Sequence, residues 1–256
     1  MKKLIVVKVG TSTLVRNSRG VERLDGDSFR RIARQVRSLR HLGYDIVLVS
    51  SGAVTAGMMK VGIKQRPVDD IASLQRFASL GWHEVLAKWS GALSMSVGGV
   101  LLTKHSLNLQ GERAEFQRVA RRLLLAGDIP IINENDVITH DEIAFGDNDT
   151  LAATVAARLR ADYQAANLVI LSDVHGVYRD KSDPSTVISV IDSIDEASVL
   201  AGGAGSTYGR GGMVTKFEAA RIAVDAGVTL HVAHGRTERV IERALLGSAG
   251  TTFVIK

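Results

Sequence analysis

LIVVKVGTS, residues 4–12, is a run of apolar, mostly β-branched residues that ends in a glycine and small polar groups. A strand with one wet face alternates apolar and polar side chains. Here Leu4, Ile5, Val6, Val7 and Val9 are interrupted by Lys8 alone. Strands apolar on both faces belong to sheets covered on both sides, which are mainly parallel. The pattern recurs in DIVLVS from Asp45, VGGVLLT from Val97, IPIIN from Ile129, NLVILS from Asn167 and VTLHVA from Val228. Helical periodicity fills the intervals at residues 27–42, 70–90 (with a break expected near Gly81), 112–126, 150–160 and 213–226, and Gly43, Gly127 and Gly227 act as stops. Strands alternating with helices predict an α/β fold, a three-layer αβα sandwich around a central, mainly parallel sheet. TTFVIK, residues 251–256, is expected as an edge strand, and AGGAGSTYGRGG from Ala201 as a loop. With no repeat and no linker, one domain over 1–256 is expected.

The composition, 45% hydrophobic and 23% charged, is that of a water-soluble globular chain. No apolar run approaches the roughly 20 residues that a membrane span needs, and a cytoplasmic location is expected. The absence of cysteine excludes disulfides, thiolate metal sites and cysteine nucleophiles. The formal charge of +5 raises the question of nucleic acid. Its densest source is DSFRRIARQVRSLRHLG, where Phe29, Ile32, Ala33, Val36 and Leu39 recur at helical spacing with Arg30, Arg31, Arg34 and Arg37 between them. Without interleaved aromatics this reads as a solvated helix face rather than a polyanion contact.

In an open parallel sheet, ligands bind beyond the carboxyl ends of the strands. Those ends read KVGTS, SSGA, NEND and SDVHG. Lys8 is a cation in an apolar strand, expensive there unless paired or facing a cavity, and reads as facing a phosphate. Gly10 lets a backbone N–H approach a ligand closely. SSGAVTAG from Ser50 puts small residues at a strand-to-helix turn, a natural anion site. GRGGMVTKFEAARIAVDAG from Gly209 runs from glycines into a helix with Thr215 and Lys216 in its first turn, without meeting the Walker A spacing. In AFGDNDTLAATVAARL, Asp147, Asn148, Asp149 and Thr150 are all good capping residues, although one helix needs only one of them. An acid set between two ammonium groups would hold both, and nearby amides and carboxylates would accept from a substrate amine. His231 and His234, three apart on a strand, point to opposite faces and make a shared metal site improbable.

In this order and at these separations, VVKVGTS, SSGAVTAG, INENDVI, FGDNDTLAA, LSDVHGVY and GRGGMVTKFEAARIAVDAG resemble the glutamate 5-kinases of the amino acid kinase family, from Val6 to Gly227. The resemblance implies transfer of the ATP γ-phosphoryl group to the side-chain carboxylate of L-glutamate, the step that opens proline biosynthesis. By motif, Lys8 and Lys216 would neutralise phosphates, Asp149 would organise both lysines, and Gly10 and Gly52 would offer N–H groups to the moving phosphoryl. Ser51, Asn133, Asp136 and Asn148 would hold glutamate. Ser172 and Asp173, with Arg210, Gly211, Gly212, Met213, Val214, Thr215 and Lys216, would hold ATP, with Mg²⁺ carried on its phosphates and no dedicated metal ligands. The part before about residue 165 would bind the acceptor and the part after it the nucleotide. The resemblance further implies proline as an inhibitor, a homo-oligomer, handover to glutamyl phosphate reductase, and neither a nucleic-acid nor a membrane partner. The chain departs from the family pattern at Ser172, at Trp82, where glutamine is usual, and over Glu115 to Arg118. The C-terminal RNA-binding-like domain of many relatives is not expected. A different carboxylate, carbamate or phosphate acceptor, or a non-catalytic nucleotide sensor, remain the alternatives.

Overall fold

The computed structural model describes residues 2–18, 21–68, 70–139, 148–180, 182–200 and 212–254. Its centre is an eight-stranded sheet in the order β5-β6-β4-β1-β7-β9-β10-β8. The strands are β1 (Lys3–Val9), β4 (Tyr44–Ser50), β5 (Val97–Leu102), β6 (Ile129–Glu134), β7 (Ala165–Ser172), β8 (Val190–Ile191), β9 (Thr229–His234) and β10 (Thr251–Phe253). Neighbours run parallel except for β9 and β10, which are antiparallel. A separate hairpin pairs β2 (Val15–Ser18) with β3 (Val21–Leu24).

Period-two alternation sends each strand's residues into two cores. Leu4, Val6, Val47, Val49, Leu168 and Ile170 point to one side. That side is covered by α5 (Lys104–Asn108), α6 (Gln110–Ala126), α7 (Asn148–Leu159), α8 (Ile194–Leu200) and α9 (Met213–Asp225). Ile5, Val7, Val9, Ile46, Leu48, Val169 and Leu171 point to the other. There the cover is α2 (Gly26–His41), α3 (Ala53–Lys60), α4 (Ile71–Leu93) and α10 (Val240–Leu245), while α1 (Thr11–Leu14) is a single turn after β1. Trp89 of α4 is fully buried, edge-on to Phe29 with centroids 4.6 Å apart, and its indole N–H donates to Ser50 Oγ at 2.8 Å. The three-layer αβα sandwich expected from the strand pattern is therefore present.

Three expectations are corrected. α4 runs unbroken through Gly81, because that glycine serves close packing rather than termination. A Cβ there would lie 1.9 Å from the Ala53 carbonyl oxygen, and one at Gly57 would lie 1.9 Å from that of Phe77. Second, β10 is not an edge strand but lies between β9 and β8, a two-residue strand with no apolar run to betray it. Third, α7 begins at Asn148 rather than at residue 150, so Asn148 and Asp149 are inside the helix they were expected to precede.

Candidate active site

The site starts from the alternation in β1. Leu4 and Val6 face the layer containing α7, and Lys8, two residues on, takes its side chain out on the same side beyond the apolar row. Parallel partners hold it on both flanks, with Lys8 opposite Val49 and Ile170. On the helical layer, α7 and α9 approach through small residues, Ala152, Ala153 and Ala156 on one and Ala219, Ala220 and Ala223 on the other, all fully buried. Close axes bring the first turns of the two helices together, and with them Asp149 and Lys216.

Lys8 Nζ lies 2.6 Å from Asp149 Oδ1 and Lys216 Nζ lies 3.1 Å from Asp149 Oδ2. All three side chains are less than a tenth exposed. Thr215 Oγ1 approaches Asp149 Oδ2 at 3.4 Å and donates to the Gly212 carbonyl at 2.9 Å. Burial alone would raise the Asp149 pKa, but Lys8 and Lys216 outweigh it and hold the carboxyl at about 2. The group is therefore ionised far into acid, and its position in the first turn of α7 places it at the end of the helix dipole that favours an anion. Two buried cations share one anion, so the cluster retains one positive charge. In a buried setting that excess calls for a further anion.

Next to Asp149 the chain builds a polar net. Asn148 Nδ2 donates to Ser51 Oγ at 3.0 Å and to Asn133 Oδ1 at 3.1 Å, while its Oδ1 accepts from the Glu134 N–H at 3.2 Å. Asn133 Nδ2 reaches Asp136 Oδ2 at 3.5 Å. Ser51 sits between β4 and α3, and Gly52 caps α3 at φ +107°, a left-handed conformation that glycine adopts without strain. Ser51, Asn133, Asp136 and Asn148 thus form one network directly beside the lysine–aspartate cluster, because Asn148 and Asp149 are consecutive.

Gly10 differs from expectation. Its N–H donates to the Leu171 carbonyl at 3.0 Å and prolongs the β1–β7 ladder, so in this conformation it is not available to a phosphoryl group. A Cβ at this position would come within 3.1 Å of that same Leu171 oxygen, so the glycine eases the close approach of the two chains here. One strand over from Lys8, at the end of β7, Ser172 Oγ donates to Asp173 Oδ1 at 2.9 Å. Among the described residues no hydrogen bond or ion pair joins these two to the lysine–aspartate cluster. Gly212, Met213, Val214, Thr215 and Lys216 run into α9, with Met213, Thr215 and Lys216 buried and Val214 half exposed. Arg210, Gly211 and Asp147 lie outside the described residues.

Two features escaped the sequence reading. The rings of His175 and His234 stack with centroids 4.5 Å apart, and burial followed by the His175 charge lowers the His234 pKa. The rings come from the ends of different strands, which no local spacing could reveal. Arg66, in the loop after α3, carries its charge near Asp136. The departures from the family pattern divide between packing and surface, since Glu115 and Arg118 pair with each other in solvent. Trp82 rests against the core under α2 and α4, Phe116 is buried, and Gln117 Nε2 donates to the Arg158 carbonyl at 2.5 Å.

Among the described residues no helix is long and apolar enough to cross a membrane. A sequence profile of the amino acid kinase family matches residues 3–234. The chain is 40% identical to the glutamate 5-kinase of Symbiobacterium thermophilum over 98% of this chain and 95% of that one. It is 39% identical to the glutamate 5-kinase of Acinetobacter baumannii over 98% of this chain but 66% of that longer relative. Giardia carbamate kinase superposes with a TM-score of 0.66 over 100% of this chain and 99% of its own at 16% identity, which bears on the fold alone. Since the sequence match runs nearly end to end on a sheet of the same architecture, the chain belongs to the amino acid kinase family, among its glutamate 5-kinases.

Proposed function

We infer that this chain transfers the γ-phosphoryl group of ATP to the side-chain carboxylate of L-glutamate, forming an acyl phosphate. The single observation that carries the chemistry is the Asp149 carboxylate holding two buried ammonium groups, at 2.6 and 3.1 Å. Phosphoryl transfer asks little covalent chemistry of the protein, only in-line positioning and stabilisation of charge on the equatorial oxygens. Glutamate is ionised at neutral pH and attacks without a general base. The obstacle is repulsion between two anions. Lys8, fixed in a central strand, and Lys216, at the start of α9, supply the opposing charge, and Asp149 fixes the separation between them.

The neighbouring net suits an amino-acid acceptor. Asp136 offers a carboxylate to its ammonium group, and Asn148, Ser51 and Asn133 offer amide and hydroxyl groups already oriented by one another. Ser172, Asp173 and the start of α9 would take the nucleotide, and the Gly52 end of α3 would face the transferred group. Mg²⁺ would be carried on the nucleotide phosphates, where it neutralises charge on the β and γ oxygens. Asp149 is already engaged by both lysines, which fits that division of labour. Inhibition by proline, self-association and handover to a reductase accompany this reading.

The test is an acceptor panel with purified protein, ATP and Mg²⁺ in the presence of hydroxylamine, which traps acyl phosphates. Glutamate is expected to give hydroxamate well above aspartate, carbamate and phosphorylated acceptors. ATP consumption with a phosphomonoester product and no hydroxamate would overturn the reading.

A further inference from the structure

The reaction leaves the arginine-rich face of α2 unused. In the structure this face is solvated, as expected, with Arg30 and Arg34 exposed, but it is concave rather than convex. It forms one wall of a groove of about 830 Å³, with the C-terminal end of α4 opposite and Arg236 at one end. Five guanidinium groups line it, those of Arg30, Arg31, Arg34, Arg37 and Arg236, against two carboxylates. Both carboxylates are engaged locally. Asp25 caps α2, accepting from the Asp27 N–H at 3.2 Å and from Ser28 Oγ at 2.9 Å, and also lies 3.8 Å from Arg236 Nη1. Asp27 pairs with Arg30 at 2.5 Å, so five cations face two anions and an excess of three positive charges remains.

Three of the guanidiniums are anchored by backbone carbonyls, Arg236 in addition to its pairing with Asp25. Arg37 Nη1 donates to the Ala92 and Leu93 carbonyls at 2.8 and 3.2 Å, and Arg31 Nη1 to those of Gly235 and Thr237 at 2.8 and 3.1 Å. Arg236 Nη2 donates to the Ser12 and Val15 carbonyls at 3.2 and 2.8 Å. Carbonyls fix the orientation of a guanidinium but do not cancel its charge, and each arginine has five N–H donors. Arg34 is exposed and makes no hydrogen bond or ion pair among the described residues. Burial, followed by repulsion from Arg236, lowers the Arg31 pKa, with Asp25 acting in the opposite direction.

We propose that this groove is a binding site for a compact anion carrying several phosphate groups. The volume is that of a small-molecule site. Planar guanidiniums fixed in advance favour bidentate contact with phosphate oxygens. No aromatic side chain lines the groove, so the base stacking that single-stranded nucleic acid would use is missing. The proposal stands independently of the phosphoryl-transfer reading.

The test uses inorganic tripolyphosphate and isothermal titration at two salt concentrations. Because that anion also suits the lysine cluster, the comparison is made in a Lys216→Ala background, with and without Arg30→Ala and Arg34→Ala. These two arginines make no backbone contact that shapes the fold. The expected result is one site per chain whose Kd rises with salt and rises at least tenfold when the two arginines are removed. In the Lys216 background chain, tripolyphosphate is also expected to shield the Arg34 peptide from phenylglyoxal, which checks the site without deleting any arginine. Equal affinity with and without the two arginines, or no binding at all, would overturn the proposal. Tighter binding of an octaglutamate peptide than of tripolyphosphate would also overturn it, in favour of an acidic protein partner.

Discussion

The molecule gathers positive charge in two places and treats it in opposite ways. Around Lys8 and Lys216 the cations are buried, and a single carboxylate at salt-bridge distance binds them both. Along α2 the cations stay near water and are steadied by backbone carbonyls. The difference follows from what each location costs. An ammonium taken out of water needs an ionic partner, whereas a guanidinium at the surface needs only something to hold its plane still. The first arrangement couples charge to stability and the second separates them.

The strongest way to break this contrast is Asp149→Asn, which keeps the shape and removes the shared anion. Turnover is expected to fall by about a thousandfold or more, since the lysines lose both their spacing and their balance. Breaking a buried pair costs about 3–5 kcal/mol. Circular dichroism and thermal melting should therefore show a folded but weakened protein, and near-normal turnover would remove Asp149 from the mechanism. A smaller effect is expected at His231, a buried titratable group with no opposite charge. Its ring nitrogens meet Asn167 Oδ1 and Thr252 Oγ1, each at 3.1 Å, and burial lowers its pKa to about 4. The folded state therefore binds this proton less tightly than the unfolded chain, whose imidazole titrates near 6.5. Its contribution is whole above about pH 6.5 and is lost as the pH falls towards 4, by about 3 kcal/mol. His231→Gln should flatten the dependence of Tm on pH across that window. The smallest effect is expected for Arg34→Ala, within about 0.5 kcal/mol of the parent. A larger loss would mean that the α2 charges are coupled to the fold after all.

The central sheet was legible because both-face apolar runs have few other uses, and β1, β4, β5, β6, β7 and β9 all coincide with such runs. The β2–β3 hairpin and β8 were not, since VRNS, VERL and a two-residue strand carry no periodic signal. Gly81 was misread because a glycine in a helical pattern looks the same whether it ends a helix or admits a neighbour. Only the Ala53 carbonyl distinguishes the two, and it lies on another helix. At the site, residue types and strand ends pointed to Lys8, Asn148, Asp149 and Lys216, and the structure brings these four together with Ser51 and Asn133. What could not be read was the direction of individual donors. The Gly10 N–H is engaged by Leu171, a pairing set by which strand lies beside β1 rather than by anything in KVGTS.

The close contact of α3 with α4 has a bearing on how this sequence can change over generations. Gly57 and Gly81 let one helix lie against the backbone of the other, and α3 begins at Gly52 beside Ser51 and the acceptor net. Any replacement at 57 or 81 adds at least one carbon where only 1.9 Å is available, and every single-base change of a glycine codon that is not silent encodes a larger residue or a stop. Drift at these two positions is therefore closed in single steps. A lineage could alter the acceptor pocket from within, but could not shift it by sliding α3 without first surviving a misfit between the two helices.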